Sequence, residues 1–127
     1  MSYTNTAEGD IIITQGDSGM FVMELKDKDN QPRDLTGLTA TLSVAKARIN
    51  DNGESVIAAP FIVKTIDPNL NAEGEKHIIR FVFQPEDTDL VKPGEYVYDV
   101  ELTDGGPFVW TILSRTFTVE YQVTRRA

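Results

Sequence analysis

Apolar and polar residues alternate along most of this chain, and turn-forming residues separate the alternating stretches. Successive side chains of a β-strand point to opposite faces, so each such stretch is predicted to be a strand with one buried face. The clearest stretches are 20–26, 39–47, 77–84 and 95–103. The side chains predicted to face the core are Phe21, Met23, Leu25, Ala40, Leu42, Val44, Ile79, Phe81, Phe83, Tyr96, Tyr98, Val100 and Leu102.

Three further apolar stretches complete the strand pattern. Residues 11–14 are predicted to form a short, mostly β-branched strand. Residues 55–66 are rich in apolar and β-branched side chains but contain Pro60, which has no N–H for a strand ladder. They predict either two short segments or one edge strand with a break at Pro60. Residues 108–120 predict either one long strand or a kinked pair.

Local signals predict a turn and a single turn of helix between these strands. Asn52-Gly53 predicts a tight turn, because both residue types tolerate a positive φ. Residues 85–90 predict one helical turn that begins at Pro85, carries acidic residues near its N-terminus and ends with Leu90 against the core.

The number and spacing of the strands predict an all-β fold. Seven or eight short strands, with no sustained helical stretch, are typical of a sandwich or a barrel. Successive hairpins give antiparallel pairs with one hidden face each, which favours a two-sheet antiparallel β-sandwich. The length of 127 residues fits one domain, so we expect a single sandwich over 1–127 with short arms at 1–9 and 121–127.

The charge balance narrows the range of partners. Twelve basic and twenty acidic residues give a net charge of −8. Binding to phosphates needs positive charge, so we expect no nucleic-acid partner and no anionic membrane surface. No apolar run approaches the roughly 20 residues of a membrane helix, and the polar start predicts no secretory signal. The sequence contains no cysteine, which excludes disulfides and zinc–thiolate sites.

Few residues suggest catalysis. His77 is the only histidine, so a Ser-His-Asp set would depend on it, and no Gly-x-Ser-x-Gly motif accompanies it. Asp99 and Glu101 share one face of a predicted strand with side chains about 7 Å apart. That spacing is compatible with inverting glycoside hydrolysis, but any solvated strand face with alternating acids has it too. We expect a surface histidine, a solvated face, no enzymatic activity and no cofactor.

Asp27, Asp29 and Asp34 are the best candidates for a metal site. Oxygen ligands two residues apart can surround a calcium ion in a loop. The glycine at the sixth loop position and the glutamate at the twelfth, which an EF-hand needs, are missing. A hairpin loop that uses Asp and Asn for backbone hydrogen bonds explains the same residues, and we expect no metal to be required.

The aromatic residues suggest either a core or a platform for stacking sugars. Most lie on the inward side of their strands, so we expect them in the core. They are Phe21, Phe81, Phe83, Tyr96, Tyr98, Phe108 and Trp110. Tyr96 also follows Pro93-Gly94 closely, as in a tyrosine corner, where the hydroxyl bonds back to the loop before its strand.

Three pieces of sequence occur in an order found in a known family. They are Thr14-Gln15-Gly16-Asp17 before a strand, Asp34-Leu35-Thr36-Gly37 after a hairpin, and Pro93-Gly94-Glu95-Tyr96-Val97-Tyr98-Asp99 at the start of a late strand. Over residues 11–120 the chain resembles the immunoglobulin-like N-terminal domain of phage baseplate upper proteins and related small tail and virion proteins. The resemblance implies an immunoglobulin-like sandwich and a non-enzymatic virion component that assembles as a trimer or ring. It implies no catalytic residues.

These observations predict a structural protein of a tailed-phage virion, assembled in the host cytoplasm. We expect it to dock to neighbouring virion subunits of the tail, baseplate or fibre-attachment region. The alternatives are a capsid decoration protein and a carbohydrate- or calcium-binding module for host recognition. The candidate contact residues are Tyr3, Asn69, Leu70, Tyr121, Arg125 and Arg126. Segment 55–66 is apolar on both faces, so either one face meets a partner or both are buried.

Overall fold

The computed structural model of the protein describes residues 2–3 and 9–123. Strands make up nearly all of its regular structure. In this part of the chain they are β1 (Ser2–Tyr3), β2 (Ile11–Thr14), β3 (Gly19–Glu24), β4 (Thr39–Ala45), β5 (Ala47–Ile49), β6 (Ser55–Ile57), β7 (Ile62–Ile66), β8 (Ile78–Phe83), β9 (Gly94–Thr103) and β10 (Val109–Glu120). The helical segments are a 3-10 turn (Pro68–Leu70) and α1 (Pro85–Thr88).

The strands form two packed sheets and one separate hairpin. Three strands in the order β1–β3–β8 face five in the order β2–β10–β9–β4–β7, while β5 pairs only with β6. Neighbouring strands are antiparallel except for β1 with β3 and β2 with β10, which are parallel. The predicted all-β sandwich is therefore confirmed. The described residues contain ten strands, more than the predicted seven or eight, because β1 and the β5–β6 hairpin add short ones.

The core lies between the two sheets and contains the residues that the alternation placed inward. Most of the predicted core side chains are fully buried, and Met23, Leu25 and Tyr96 are partly buried against them. Two edge-to-face contacts join the sheets: the ring centroids of Phe21 and Tyr98 lie 5.7 Å apart, and those of Phe83 and Phe117 lie 5.6 Å apart. Such pairs contribute about 1 kcal/mol each beyond the burial of their area.

Tyr98 places a polar group at the edge of this core. Its side chain is 2% exposed, and its hydroxyl donates a hydrogen bond to the Gly9 carbonyl. Burial raises the pKa of the Tyr98 hydroxyl above its usual range, and the nearby Asp10 carboxylate adds to this, while Arg115 acts in the opposite direction. The hydroxyl therefore stays protonated, and its hydrogen bond joins Gly9 to β9.

The hairpin of residues 39–66 changes direction at Pro60. Its first half pairs β4 with β7, where Val44 lies opposite Ile62. The last bond of this half runs from the Phe61 N–H to the Val44 carbonyl, 2.9 Å, and the next from the Ala58 N–H to the Lys46 carbonyl, 2.9 Å. Ala59 and Pro60 are left between these bonds as extra residues, which ends the ladder as expected for a residue without an N–H. The prediction of two segments broken at Pro60 is confirmed.

Beyond this break, β5 and β6 form what we call the side hairpin, residues 47–57. The Asn50 side-chain oxygen accepts the N–H groups of Asn52 and Glu54, both at 2.9 Å, and so closes the turn. Gly53 has φ +80°. The turn predicted at Asn52-Gly53 is present. It spans residues 50–54, and of this pair only Gly53 has a positive φ.

The corner between β8 and β9 holds α1 and a rigid turn. Thr88 is fully buried, and its hydroxyl accepts the Gly16 N–H at 2.9 Å. The prediction that Leu90 covers the core was wrong, since Leu90 is 95% exposed and Thr88 and Val91 point inward on either side of it. The Tyr96 hydroxyl donates to the Lys92 carbonyl four residues upstream. This tyrosine corner is a feature of immunoglobulin-like sandwiches, so that part of the fold prediction is confirmed as well.

The last hairpin, β9–β10, contains a register shift between Thr111 and Leu113. The structure therefore lies between the two predicted alternatives: β10 is one long strand, and a bulge interrupts its regular pairing. Five of the seven aromatics lie in the core or pack against it, as expected for most of them, whereas Phe108 and Trp110 are exposed. These two lie beside the turn of this hairpin and stack on each other, with ring centroids 6.0 Å apart and planes at 14°. No helix in the described residues is long and apolar enough to cross a membrane.

Candidate binding surface

The five-stranded sheet has an outer face that carries polar side chains instead of core residues. Strand register places the odd-numbered residues of β4 and β9 on this face, opposite residues of β10. On these three strands the outer-face residues are Thr39, Thr41, Ser43, Ala45, Glu95, Val97, Asp99, Glu101, Thr103, Val109, Thr111, Ser114, Thr116, Thr118 and Glu120. Hydroxyls and carboxylates dominate this surface, so it can exchange hydrogen bonds with a partner.

The side hairpin leans over one part of the outer face. Ala45 lies on the outer face but is only 4% exposed, because the side hairpin lies over this part of the sheet. A groove of about 280 Å³ separates the hairpin from the sheet. It is lined on the sheet side by Ser43, Asp99 and Ser114 and on the hairpin side by Ala47, Ser55 and Ile57.

The electrostatics of the outer face are one-sided. Its carboxylates belong to Glu95, Asp99, Glu101 and Glu120, and no lysine or arginine occupies an outer-face position of β4, β9 or β10. Asp99 is half-buried, and its carboxylate makes no hydrogen bond or ion pair with any described residue. The predicted placement of Asp99 and Glu101 on one strand face is correct. Only Asp99 lines the groove.

His77 lies away from these acids. It directly precedes β8 in the three-stranded sheet, and its Nε2 atom is 3.2 Å from Glu24 Oε1 on the neighbouring strand. The structure therefore pairs this histidine with a glutamate across two strands and does not bring it to Asp99. A catalytic set of His77, Asp99 and Glu101 has no geometric basis, because the side chains belong to different sheets.

Two of the three candidate calcium ligands, Asp27 and Asp34, act as turn acceptors, while Asp29 donates its backbone N–H to Asp27. One oxygen of Asp27 accepts the N–H groups of Asp29 and Gln31 at 2.8 and 3.0 Å. One oxygen of Asp34 accepts the N–H and the hydroxyl of Thr36 at 2.8 and 2.5 Å. The hydrogen bond from the Thr36 hydroxyl has the largest effect on Asp34 and lowers the pKa of its carboxyl. The hydrogen bond from the Thr36 N–H lowers this pKa further. Among residues 9–123 no three His, Asp or Glu side chains come together as metal ligands would.

Seven of the thirteen large apolar side chains that are exposed among the described residues fall into two groups. One group belongs to the hairpin of residues 39–66 and comprises Ile49, Ile57, Phe61 and Val63. Within it the Phe61 ring meets Tyr96 edge to face, with centroids 5.1 Å apart. The other group is Phe108, Val109 and Trp110 at the end of β9–β10. Sequence alternation missed both groups, because it assigns a side to each residue but does not show where the opposite sheet ends.

Two of the predicted contact residues are exposed in the structure. Leu70 is 85% exposed at the end of the 3-10 turn, and Tyr121 is exposed just after β10. The side chains of Tyr3 and Asn69, and residues Arg125 and Arg126, lie outside the described part of the chain. The polar stretch of residues 67–75 that contains Leu70 is mostly exposed, although Pro68 is buried.

Comparisons with known proteins were made for both sequence and structure. Neither protein-family models nor curated protein sequences give a match. Among solved structures, the chain is similar to the N-terminal domain of phage TP901-1 ORF48, with 13% identity, a TM-score of 0.46, and coverage of 93% of this chain and 94% of that one. It is also similar to the Ig-like domain of mouse leukocyte-associated immunoglobulin-like receptor 1, crystallised as a strand-swapped dimer, with 18% identity, a TM-score of 0.43, and coverage of 87% and 86%.

Proposed function

We propose that this protein is a non-enzymatic structural subunit of a tailed-phage virion. It docks to neighbouring subunits of the tail, baseplate or fibre-attachment region and is present there in several copies, as a trimer or ring. Its place of action is the virion, which is assembled in the host cytoplasm. The order of sequence motifs over residues 11–120, which resembles phage baseplate proteins, supports this assignment.

The observation that carries the proposal is the exposed apolar surface of the hairpin of residues 39–66. Ile49 is 67% exposed and Ile57 is 57% exposed, although both lie in regular strands. Contiguous apolar surface on a folded protein marks a place where another protein binds. Covering it removes apolar area from water at about 25 cal/mol per Å², which is the ordinary driving force of subunit assembly.

The edge of the five-stranded sheet supports docking at the same side of the molecule. Strand β7 pairs with β4 on one side only. Its other edge carries backbone groups that a strand from a neighbouring subunit can pair with. Lys64 on β7 is held by Asp87 at 2.7 Å. A charged side chain at an edge discourages indiscriminate strand pairing, so a specific partner has to match this ion pair.

The direct test is to purify intact particles and determine their proteins by quantitative mass spectrometry. The proposal predicts this chain at a fixed copy number relative to the known tail or capsid subunits. Absence from the particle, or only trace amounts, would reject it. Imaging of particles with and without the protein then distinguishes a tail or baseplate position from capsid decoration.

A second candidate function is a carbohydrate-binding module for host recognition. The exposed Phe108–Trp110 pair favours it, because parallel aromatic rings near the surface stack well against sugar rings. Calorimetry against host polysaccharides tests this directly. Binding that disappears in Trp110→Ala and persists in Phe61→Ala would support it, and no heat at millimolar glycan would remove it.

A further inference from the structure

The groove between the side hairpin and the outer face has the form of a pocket for one side chain. Its volume of about 280 Å³ is at the small end of ligand sites in proteins. Both of its walls are regular strands, since the sheet lies on one side and β5–β6 on the other. Ladder hydrogen bonds hold the strands together within each wall, and the bond from the Ala58 N–H to the Lys46 carbonyl, 2.9 Å, closes the base of the side hairpin.

Three polar side chains cross the sheet wall of the groove in one row. Ser43 lies directly opposite Asp99 on the neighbouring strand, and Asp99 lies directly opposite Ser114 on the next. Residues opposite each other in an antiparallel pair have Cα atoms about 4.5–5.5 Å apart. The Asp99 carboxylate is therefore flanked by two hydroxyls, all three accessible from the groove.

The rest of the lining is mostly apolar, although Ser55 on the hairpin side adds a further hydroxyl. Ala45 and Val97 form one wall, and Ala47, Ile57 and Pro60 form the other. Methylene groups pack favourably on such surfaces, while a polar group that failed to reach the row of oxygens would lose its hydration without compensation. The groove therefore suits a long side chain with an apolar stem and a polar end.

The charge of the groove determines which polar group can stand at the end of the side chain that enters it. Asp99 has no partner among the described residues, and the surrounding outer face carries further carboxylates and no basic residue. The whole chain has a net charge of −8. An anionic group would be repelled here, whereas a cation would neutralise the Asp99 carboxylate in a partly desolvated setting, where charged hydrogen bonds are strong.

We propose that this groove receives an arginine side chain of a neighbouring virion subunit. The guanidinium donates to the Asp99 carboxylate and to the hydroxyls of Ser43 and Ser114, and its stem packs between Val97 and Ile57. A planar fork of five N–H donors matches a row of three oxygens better than the compact ammonium of lysine does. This inference rests on the proposed docking function and specifies the partner's chemistry at one site.

The test is a titration of the ¹⁵N-labelled protein with N-acetyl-arginine amide, followed by NMR. We expect shifts confined to the groove, at the amides of residues 43–47, 55–59, 97–99 and 114, at roughly 50 mM ligand. N-acetyl-citrulline amide, an isosteric neutral probe, should give no such shifts. N-acetyl-lysine amide should bind at least about threefold more weakly.

Two variants localise the effect. Asp99→Asn keeps the shape of the side chain and removes its charge, and should weaken arginine binding about tenfold. Glu101→Gln removes a charge from the same face outside the groove and should change binding less than about twofold. Equal losses in both variants would show general attraction to an acidic face and overturn the site.

The remaining outcomes also decide the inference. Shifts spread over the whole surface, or an equal response to citrulline, would overturn it, and equal binding of lysine would overturn the preference for a guanidinium. Particle composition separates this from the proposed function. A protein found in particles without arginine binding contradicts only the groove, and a protein that binds arginine but is absent from particles contradicts only the virion role.

Discussion

The hairpin of residues 39–66 contains two halves with similar residues and opposite surroundings. In the β4–β7 half, Leu42 and Val44 are completely buried. In the side hairpin, Ile49 and Ile57 are more than half exposed, although they also lie in paired strands. The difference is what lies opposite each half: the β4–β7 half faces the three-stranded sheet, and the side hairpin extends beyond it.

This contrast separates two contributions that a β-branched residue makes. Backbone pairing and turn chemistry are enough to set a strand, as in the side hairpin, where Asn50 closes the turn. Burial needs a closely packed second surface: the β4–β7 half has one in the three-stranded sheet, whereas a groove separates the side hairpin from the outer face. A two-stranded hairpin is marginal by itself, so the apolar residues of the side hairpin gain stability when a partner supplies the missing surface.

The largest effect should come from shortening one apolar residue in each half. Leu42→Ala leaves a cavity in a close-packed core and should lower the free energy of unfolding by about 3 kcal/mol. Ile57→Ala removes a mostly exposed side chain and should lower it by less than about 0.5 kcal/mol. Urea denaturation followed by fluorescence of Trp110 and by circular dichroism measures both. Similar losses in the two variants would contradict the assignment of the side hairpin to the outside.

Sequence patterns predicted the buried half well. Strand alternation is a local property, and it identified Leu42 and Val100 as core residues because each has polar neighbours on both sides in the chain. The tyrosine corner was also predictable, since Pro93-Gly94 fixes the turn before Tyr96. In both cases the residues that determine the structure lie within a few positions of one another.

The candidate site was less predictable for a physical reason. The groove requires Ser43, Asp99 and Ser114 to lie in register, and that register depends on pairings between residues far apart in the chain. The bulge between Thr111 and Leu113 changes which side of β10 faces outward. Counting by twos from Phe108 across this bulge would place Ser114 on the core side, whereas it lies opposite Asp99 on the outer face, and no local pattern announces such a bulge.

A change at Tyr98 tests how much a hydrogen bond at the edge of the core contributes to stability. Tyr98 lies opposite Val44, and Tyr98→Phe removes the hydrogen bond to the Gly9 carbonyl. We expect the variant to be about 1.5 kcal/mol less stable at neutral pH. Tyr121→Phe, at an exposed tyrosine, is the matched control and should change stability by less than about 0.3 kcal/mol.

The same variant predicts a pH dependence with a definite sign. The folded-state pKa of Tyr98 is raised above its ordinary value of 10.0, so its protonated form stabilises the fold below pH 10. Above pH 10 the unfolded chain loses this proton while the folded chain keeps it, and stability falls by up to about 1.4 kcal/mol per pH unit. In Tyr98→Phe this fall is absent, so the two stability curves should converge above pH 10. Parallel curves from pH 9 to 12 would contradict the buried, protonated hydroxyl.

The turn of the side hairpin should give a smaller and more local effect. Gly53 has φ +80° and open space around its Cα, so Gly53→Ala adds backbone strain without a clash. We expect a cost of about 1 kcal/mol, seen as faster hydrogen exchange at the amides of Asn50 and Ala58 with unchanged exchange in β4. Asn52→Ala, next to it but without a positive φ, should change these rates little. Equal acceleration in β4 would mean that the two halves open together.

The smallest effect on stability should accompany the largest effect on assembly. Replacing Ile49 and Ile57 together by serine removes apolar surface that solvent already reaches, so the free energy of unfolding should change by less than about 0.5 kcal/mol. Incorporation into particles should fall severalfold, because the docking surface loses apolar area. Val82→Ser, at an exposed apolar position of the three-stranded sheet, is the control and should incorporate normally. If the double variant incorporates as well as the wild type, the exposed residues of the side hairpin serve neither the core nor a partner, and docking has to be assigned to the Phe108–Trp110 end of the molecule.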